Sequence, residues 1–264
     1  MPDQQPLFTL PGRVAIVTGG TRGIGRSIAE TLLNAQCEVA VCGRHEPASL
    51  PSVNGRTASF HACDLRDAGQ ARAFVDSVAE RHGRLDILVN NAGGSPQADA
   101  ATASPRFSEA ILALNLLAPL HAAQAANRVM ATQETGGSII NIASVSAIRP
   151  SPGTAIYGAA KAGLLSLTRS LAQEWGPAVR VNAIVVGLIE TENAEETYGS
   201  AIARDAIASS LPLRRMGRGD DVAAAALYLA SPLAAYVSGA QLNVDGGGER
   251  PLFLEIVKSY AKPD

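Results

Sequence analysis

The chain has 264 residues, enough for one sizeable hydrophobic core and within the range of a single α/β sheet protein. At 47% hydrophobic and 17% charged residues with a net charge of −2, it has no basic surplus to neutralise the phosphates of a nucleic acid or an anionic membrane, so neither is an expected partner. The three cysteines, Cys37, Cys42 and Cys63, form an odd set without a CxxC spacing, which leaves no readable disulfide framework or thiolate zinc site and fits a reducing, cytoplasmic setting.

Residues 1–11 carry Asp3, Gln4 and Gln5 where a secretory signal would need a basic patch and an apolar run, so secretion is not expected. Residues 13–18 are mostly apolar and β-branched and end in a glycine cluster, and 24–35 then shows helical spacing: strand, turn, helix. Strands are expected at 38–42, 57–63 and 86–90, with a helix at 67–81 between the last two. A long helix follows at 105–131; its apolar stretch 111–126 is interrupted by Asn115, Pro119, His121 and Gln124 and falls short of a membrane span. Beyond it come a strand at 138–143, a helix at 155–175 and a strand at 179–185.

After Gly187 the alternation lapses into an acidic segment, 190–196, and a helix-compatible stretch to 210, which reads as a lid over about 188–213. A helix at 220–230 and a strand at 241–244 close the pattern. Consecutive βα units wind into one doubly wound parallel sheet with helices on both faces, a single Rossmann-like domain over 1–264. The tail, 249–264, holds Leu252, Phe253, Leu254, Ile256, Val257 and Tyr260 and is too apolar to be free; it is expected to pack, on its own subunit or, preferably, on a neighbour.

The first turn reads Thr18-Gly-Gly-Thr-Arg-Gly-Ile-Gly25, with Gly19, Gly23 and Gly25 spaced GxxxGxG between a strand and a helix. Glycines there let the backbone approach a pyrophosphate, which meets the free N–H groups and positive dipole end of the helix. An acidic residue at the end of the second strand would serve the ribose hydroxyls of NAD(H), but the chain reads Val41-Cys-Gly-Arg44. Arg44 and Arg22 flank that position and suit a 2′-phosphate, so NADP(H) is favoured and NAD(H) remains the alternative. Asp64 is read either as an acceptor for the adenine amino group or as a helix N-cap, and Asn90 to Gly93 as the floor of the adenosine side.

Tyr157 and Lys161, the only lysine before Lys258 and Lys262, lie four apart on one helix face. A phenol is a poor acid–base at neutral pH unless a nearby cation stabilises its phenolate, and a lysine one turn away can do so. Ser144 closes the strand upstream. Together with Asn90-Asn-Ala-Gly93, Asn115 in Leu-Asn-Leu, Arg180-Val-Asn182, Gly187 with Thr191 and Asn243-Val-Asp-Gly-Gly247, these residues closely resemble the short-chain dehydrogenase/reductase family over nearly the whole chain.

The resemblance implies that Ser144 binds the substrate carbonyl or hydroxyl, that Tyr157 transfers the proton, that Lys161 lowers the Tyr157 pKa and holds the nicotinamide ribose, and that Asn115 anchors a water in the proton relay. It implies a cofactor site of Gly19, Thr21, Arg22, Gly23, Ile24, Gly25, Arg44, Asp64, Leu65, Asn91, Ala92, Gly93, Tyr157, Lys161, Gly187, Ile189 and Thr191, and a homo-oligomer. Two departures stand out: Val186 precedes Gly187 where the family often has proline, and Gly219 stands where a proline often precedes the last long helix. No metal is expected, His61 and Cys63 reading as core. The expected activity is reduction of a carbonyl or oxidation of a secondary alcohol; the alternatives are a 3-oxoacyl thioester reductase, on coenzyme A or an acyl carrier protein, and a non-catalytic dinucleotide sensor.

Overall fold

The computed structural model describes residues 8–260. In chain order its elements are β1 (Val14–Thr18), α1 (Gly23–Asn34), β2 (Glu38–Gly43), β3 (Ser52–Val53), β4 (Arg56–Thr57), β5 (Ser59–Ala62), α2 (Ala68–His82), β6 (Ile87–Asn90), α3 (Pro105–Leu112), a π-helical turn (Ala113–Leu117) and α4 (Ala118–Met130). There follow β7 (Gly137–Ile142), a 3-10 turn (Val145–Ala147), α5 (Ala155–Trp175), β8 (Val179–Val186), β9 (Ile189–Glu190), α6 (Ala194–Tyr198), α7 (Ala201–Ser210), β10 (Gly217–Arg218), α8 (Gly219–Ala230), β11 (Gln241–Val244) and α9 (Leu252–Tyr260).

Seven strands form the central sheet in the order β11-β8-β7-β6-β1-β2-β5, paired in parallel throughout. The chain winds outward from β1 through β2 to β5, then returns to the other side of β1 as β6, so the topological switch lies between β1 and β6 and opens a crevice at their carboxyl ends. Parallel strands must be covered on both faces, and the core divides accordingly. Ile28, Leu32 and Leu33 of α1 pack with Val222, Ala226 and Leu229 of α8 on one face. Phe74, Val75 and Val78 of α2 join Ala122, Ala126 and Met130 of α4 and Leu171 of α5 on the other.

Local chemistry sets the helix ends. Asp67 caps α2 by accepting from the N–H groups of Gly69 and Gln70 at 2.8 and 3.1 Å, and Gly83 ends that helix in the left-handed region at φ 70°. Ser104 caps α3 ahead of Pro105. Gly219 begins α8 where any Cβ would run into the Ser27 side chain of α1, so the glycine in place of a proline lets the two helices close on each other.

Three expectations are corrected. The strand expected at 57–63 is the shorter β5, and an unexpected β3–β4 hairpin precedes it, its turn Asn54-Gly55 having both residues at positive φ. The helix expected at 105–131 is broken by the π-helical turn, with Pro119 in the first turn of α4. The tail forms α9, but Leu252, Phe253 and Val257 are 71%, 62% and 63% exposed, so this segment does not pack into its own subunit; 261–264 lie outside the described residues. No helix among the described residues is long and apolar enough to cross a membrane.

The sheet edge under the amino end of β1 is fixed by Asp86, 4% exposed, whose carboxylate accepts from Arg13 at 2.6 Å, from Arg84 at 2.6 and 2.8 Å and from the Val14 N–H at 2.9 Å. Burial opposes its charge, but these donors outweigh it and hold the carboxyl below the ordinary carboxylate value. Replacing Asp86 with alanine leaves two guanidiniums without their acceptor, and a loss of about 3 kcal/mol at pH 7 is expected from urea unfolding. The stability contributed by a depressed carboxyl is present above its unfolded value and lost below the folded one, so the gap between wild type and variant should narrow as pH falls below 3.8.

Candidate active site

The two loops at the switch point are stitched together. Thr18 Oγ1 accepts from the N–H groups of Asn91 and Ala92 at 2.9 and 3.0 Å, while the Asn91 side-chain amide donates to the carbonyls of Thr18 and Gly19 at 2.9 and 3.2 Å. A Cβ on Gly19 would sit 3.1 Å from Ala92 Cα, and one on Gly25 would collide with the Asn91 amide and the Gly19 carbonyl. Gly19 and Gly23 have positive φ of 62° and 53°. The first bond within α1 is Arg26 N–H to the Arg22 carbonyl, so the N–H groups of Gly23, Ile24 and Gly25 face the crevice end. A helix start of this form, whose Gly23 N–H already meets a carboxylate, fits an anion such as the diphosphate of a dinucleotide.

At the adenosine side Arg22 and Arg44 are exposed, and neither forms an ion pair among the described residues, in contrast to Arg13, Arg26 and Arg66. Asp64 does not cap α2; Asp67 does. Asp64 is instead gripped by Arg66, which holds its carboxyl down at about 2. Leu65 is buried at 6%. Asn90 does not floor the crevice: its amide donates inward, to Pro119 O at 3.2 Å and Asn141 Oδ1 at 2.9 Å, and Asn141 in turn donates to Thr168 Oγ1 at 2.9 Å. These three buried side chains rivet α5 to the sheet.

That helix carries Tyr157 and Lys161. Tyr157 lies within hydrogen-bonding reach of the Ser144 hydroxyl, and the Lys161 ammonium stands 5.7 Å from the centre of the Tyr157 ring. Lys161 is 3% exposed and donates to the Ile142 carbonyl at 2.8 Å. Burial strips hydration from its charge and brings it to about 8. Burial pushes the Tyr157 phenol above its usual value, the Ser144 hydroxyl works against that rise, and Tyr198 adds to it.

Asn115 sits in the π-helical turn and is fully buried. Its side-chain amide donates to the carbonyls of Gly94 and Ile111, both at 3.0 Å, and its Oδ1 accepts from the Gly94 N–H at 2.9 Å. One amide hydrogen and Oδ1 thus hold Gly94 in the loop after β6, and the other amide hydrogen returns to Ile111 of α3. Gly93 is wedged between the two polar groups, since a Cβ there would lie 2.7 Å from Asn115 Oδ1 and 3.2 Å from Lys161 Nζ.

The segment after β8 reaches the glycine turn. Ile189 is buried, and its backbone hydrogen-bonds to Tyr198. Glu192 accepts from the Gly23 N–H at 3.2 Å, and Thr191 lies beside the same glycine. Arg149, in the loop after Ser144, pairs with Glu249 at the start of the tail. The backbone at Val186-Gly187 continues β8 against β11, and a Cβ on Gly187 would lie 2.6 Å from Asp245 Cα, so close approach replaces the stiffness of a proline. Glu192, Tyr198 and the Arg66 partner of Asp64 were not identified as site residues from the sequence. Acidic and aromatic residues in a lid carry no spacing signal, and an Asp-x-Arg pair has none either.

A family model described as enoyl-(acyl carrier protein) reductase matches residues 19–249. The chain is 36% identical over 247 residues to the D-threitol dehydrogenase of Mycolicibacterium smegmatis, covering 91% of this chain and 94% of that protein. It is also 36% identical over 247 residues to the 3-oxoacyl-(acyl-carrier-protein) reductase FabG of Chlamydia pneumoniae, covering 91% and 98%. Among solved structures, the Pseudomonas aeruginosa RhlG/NADP active-site complex superposes with a TM-score of 0.84 at 33% identity, covering 92% of this chain and 99% of that one. The chain belongs to the short-chain dehydrogenase/reductase family of oxidoreductases.

In this family member the crevice brings Gly93, Asn115, Ser144, Tyr157 and Lys161 to one end of the cleft and the glycine turn to the other. The wedge at Gly93 gives a direct check. Gly93→Ala is expected to displace Asn115 and Lys161 and lower turnover about a hundredfold with little change in melting temperature, measured by steady-state kinetics beside a thermal scan. Unchanged turnover would show that the wedge does not set the reacting geometry.

Proposed function

We propose that the protein is an NADP(H)-preferring reductase of carbonyl compounds, or dehydrogenase of the matching secondary alcohols, acting through Ser144, Tyr157, Lys161 and Asn115. The observation that carries this reading is the phenol of Tyr157 set between the Ser144 hydroxyl and the buried ammonium of Lys161. A bound nicotinamide supplies the hydride. As negative charge grows on the substrate oxygen, the Ser144 and Tyr157 hydroxyls donate to it, an interaction stronger in the transition state than in the ground state. Burial keeps the Tyr157 phenol protonated, ready to release its proton to that oxygen. The Lys161 cation, present below about pH 8, then stabilises the phenolate left behind. Asn115 holds the loop that carries Gly93, and its remaining Oδ1 lone pair is the atom available to a water.

For the cofactor, Gly19, Thr21, Gly23, Ile24 and Gly25 would hold the diphosphate, Arg22 and Arg44 the 2′-phosphate, Asp64 and Leu65 the adenine. Asn91, Ala92 and Gly93 would line the middle, and Gly187, Ile189 and Thr191 the nicotinamide, with Tyr157 and Lys161 at its ribose. The second reading is a 3-oxoacyl thioester reductase. It draws support from the FabG relative and from an apolar cavity of about 350 Å³ beside the start of α5, lined by Ala98, Ala103, Phe107, Ile156 and Ala159.

The test is NADPH and NADH consumption followed by absorbance over ketones, sugars, steroid ketones and acetoacetyl thioesters, with Tyr157→Phe and Arg44→Asp proteins alongside. Turnover of one class, abolished in Tyr157→Phe and shifted toward NADH in Arg44→Asp, is the expected result. Tight NADPH binding without turnover of any class would move the reading to a dinucleotide sensor.

The whole chain is proposed to act as one domain in a cytoplasmic setting, where Cys37, Cys42 and Cys63 stay free and buried. The apolar side chains that α9 leaves in solvent support a homo-oligomer in which the tail meets a second copy. Removing residues 250–264 is expected to lower the mass seen by light scattering, and an unchanged mass would remove the tail from the interface.

A further inference from the structure

The segment after β8 meets the start of α1 through one charged group. The N–H of Gly23, the first residue of α1, donates to Glu192 Oε1 at 3.2 Å, and Glu192 Oε2 stands 3.7 Å from where a Cβ on Gly23 would lie. Glu192 forms no ion pair among the described residues, whereas Glu190, two residues earlier, pairs with Arg204. The Glu192 carboxylate thus rests on the helix end and not on a guanidinium. A negative group is stabilised there by a backbone N–H that has no partner within the helix and by the positive end of the helix dipole.

These are also the features that suit the start of α1 to a diphosphate. Hydrogen bonding within α1 begins at the Arg26 N–H, which leaves the N–H groups of Gly23, Ile24 and Gly25 for a ligand, and Glu192 occupies the first of them. An incoming diphosphate brings further negative charge to the same donor, so the two anions repel and cannot share it. Glu192 is exposed and outside the core, so its side chain can leave without unpacking any element.

We propose that Glu192 is an internal competitor for the dinucleotide: in the free protein its carboxylate takes the place of a phosphate oxygen on the Gly23 N–H, and the diphosphate must displace it to bind. The proposal rests on the dinucleotide site assigned under the proposed function. It is tested by calorimetric titration of NADP⁺ and NAD⁺ into wild type, Glu192→Gln and Glu195→Gln. The last removes the same charge from an exposed position three residues further on, in α6.

For whichever dinucleotide the wild type binds, Glu192→Gln is expected to bind it about fivefold more tightly, because a neutral amide holds the Gly23 N–H less strongly than a carboxylate. Glu195→Gln should stay within about twofold of wild type. A Glu192→Gln protein that binds no more tightly than wild type overturns the competition, and one that binds more weakly assigns Glu192 to supporting the loaded site instead; both leave the dinucleotide site standing. Equal tightening in Glu195→Gln reduces the effect to overall charge and also overturns the proposal. A wild type that binds neither dinucleotide overturns the dinucleotide reading itself, and the competitor with it.

Discussion

The cross-stitch between Thr18 and Asn91 is the constraint on which the rest of the cleft depends. It joins the turn after β1 to the turn after β6, the two strands between which the sheet reverses its winding. The bonds form only because Gly19 and Gly25 lack side chains, so a backbone requirement and a hydrogen-bond requirement are met by the same residues. With the turns locked, the start of α1 is aimed into the crevice from one side and the loop bearing Gly93 is laid along it from the other.

At the reacting end the controlling term is desolvation. An ammonium at 3% exposure is costly to maintain, and Lys161 is held by a single carbonyl, that of Ile142, together with the aromatic face of Tyr157. The same burial raises the phenol and lowers the ammonium to about 8, so desolvation favours the neutral form of both groups.

Much of this was legible in the sequence, because the alternation of short apolar runs with helically spaced stretches is imposed by a two-sided parallel sheet, and because glycines between a strand and a helix have few other uses. What was not legible shares a physical reason. The π-helical turn at Asn115 inserts its irregularity inside a run whose apolar spacing still reads as one helix, with Pro119 the only mark of a break. Asn90 and Asn91 are chemically identical neighbours at a strand end, and pleating alone sends one into the core and the other to the turn. Asp64 was open to reading as the cap of α2, and only the loop geometry gives that place to Asp67. The exposed apolar face of α9 is the reverse case: composition asked for burial that the single chain does not provide.

The buried ladder from Asn90 through Asn141 to Thr168 has a wider consequence. It anchors α5 from beneath, with no contribution from the lid or the tail, so the height of Tyr157 above the sheet is set by groups that no substrate touches. The hold on α5 from the sheet and the contacts of the segment after β8 are therefore made by different residues. Substitutions between residues 188 and 213 leave that ladder intact, so this segment can vary while the seat of α5 on the sheet stays the same.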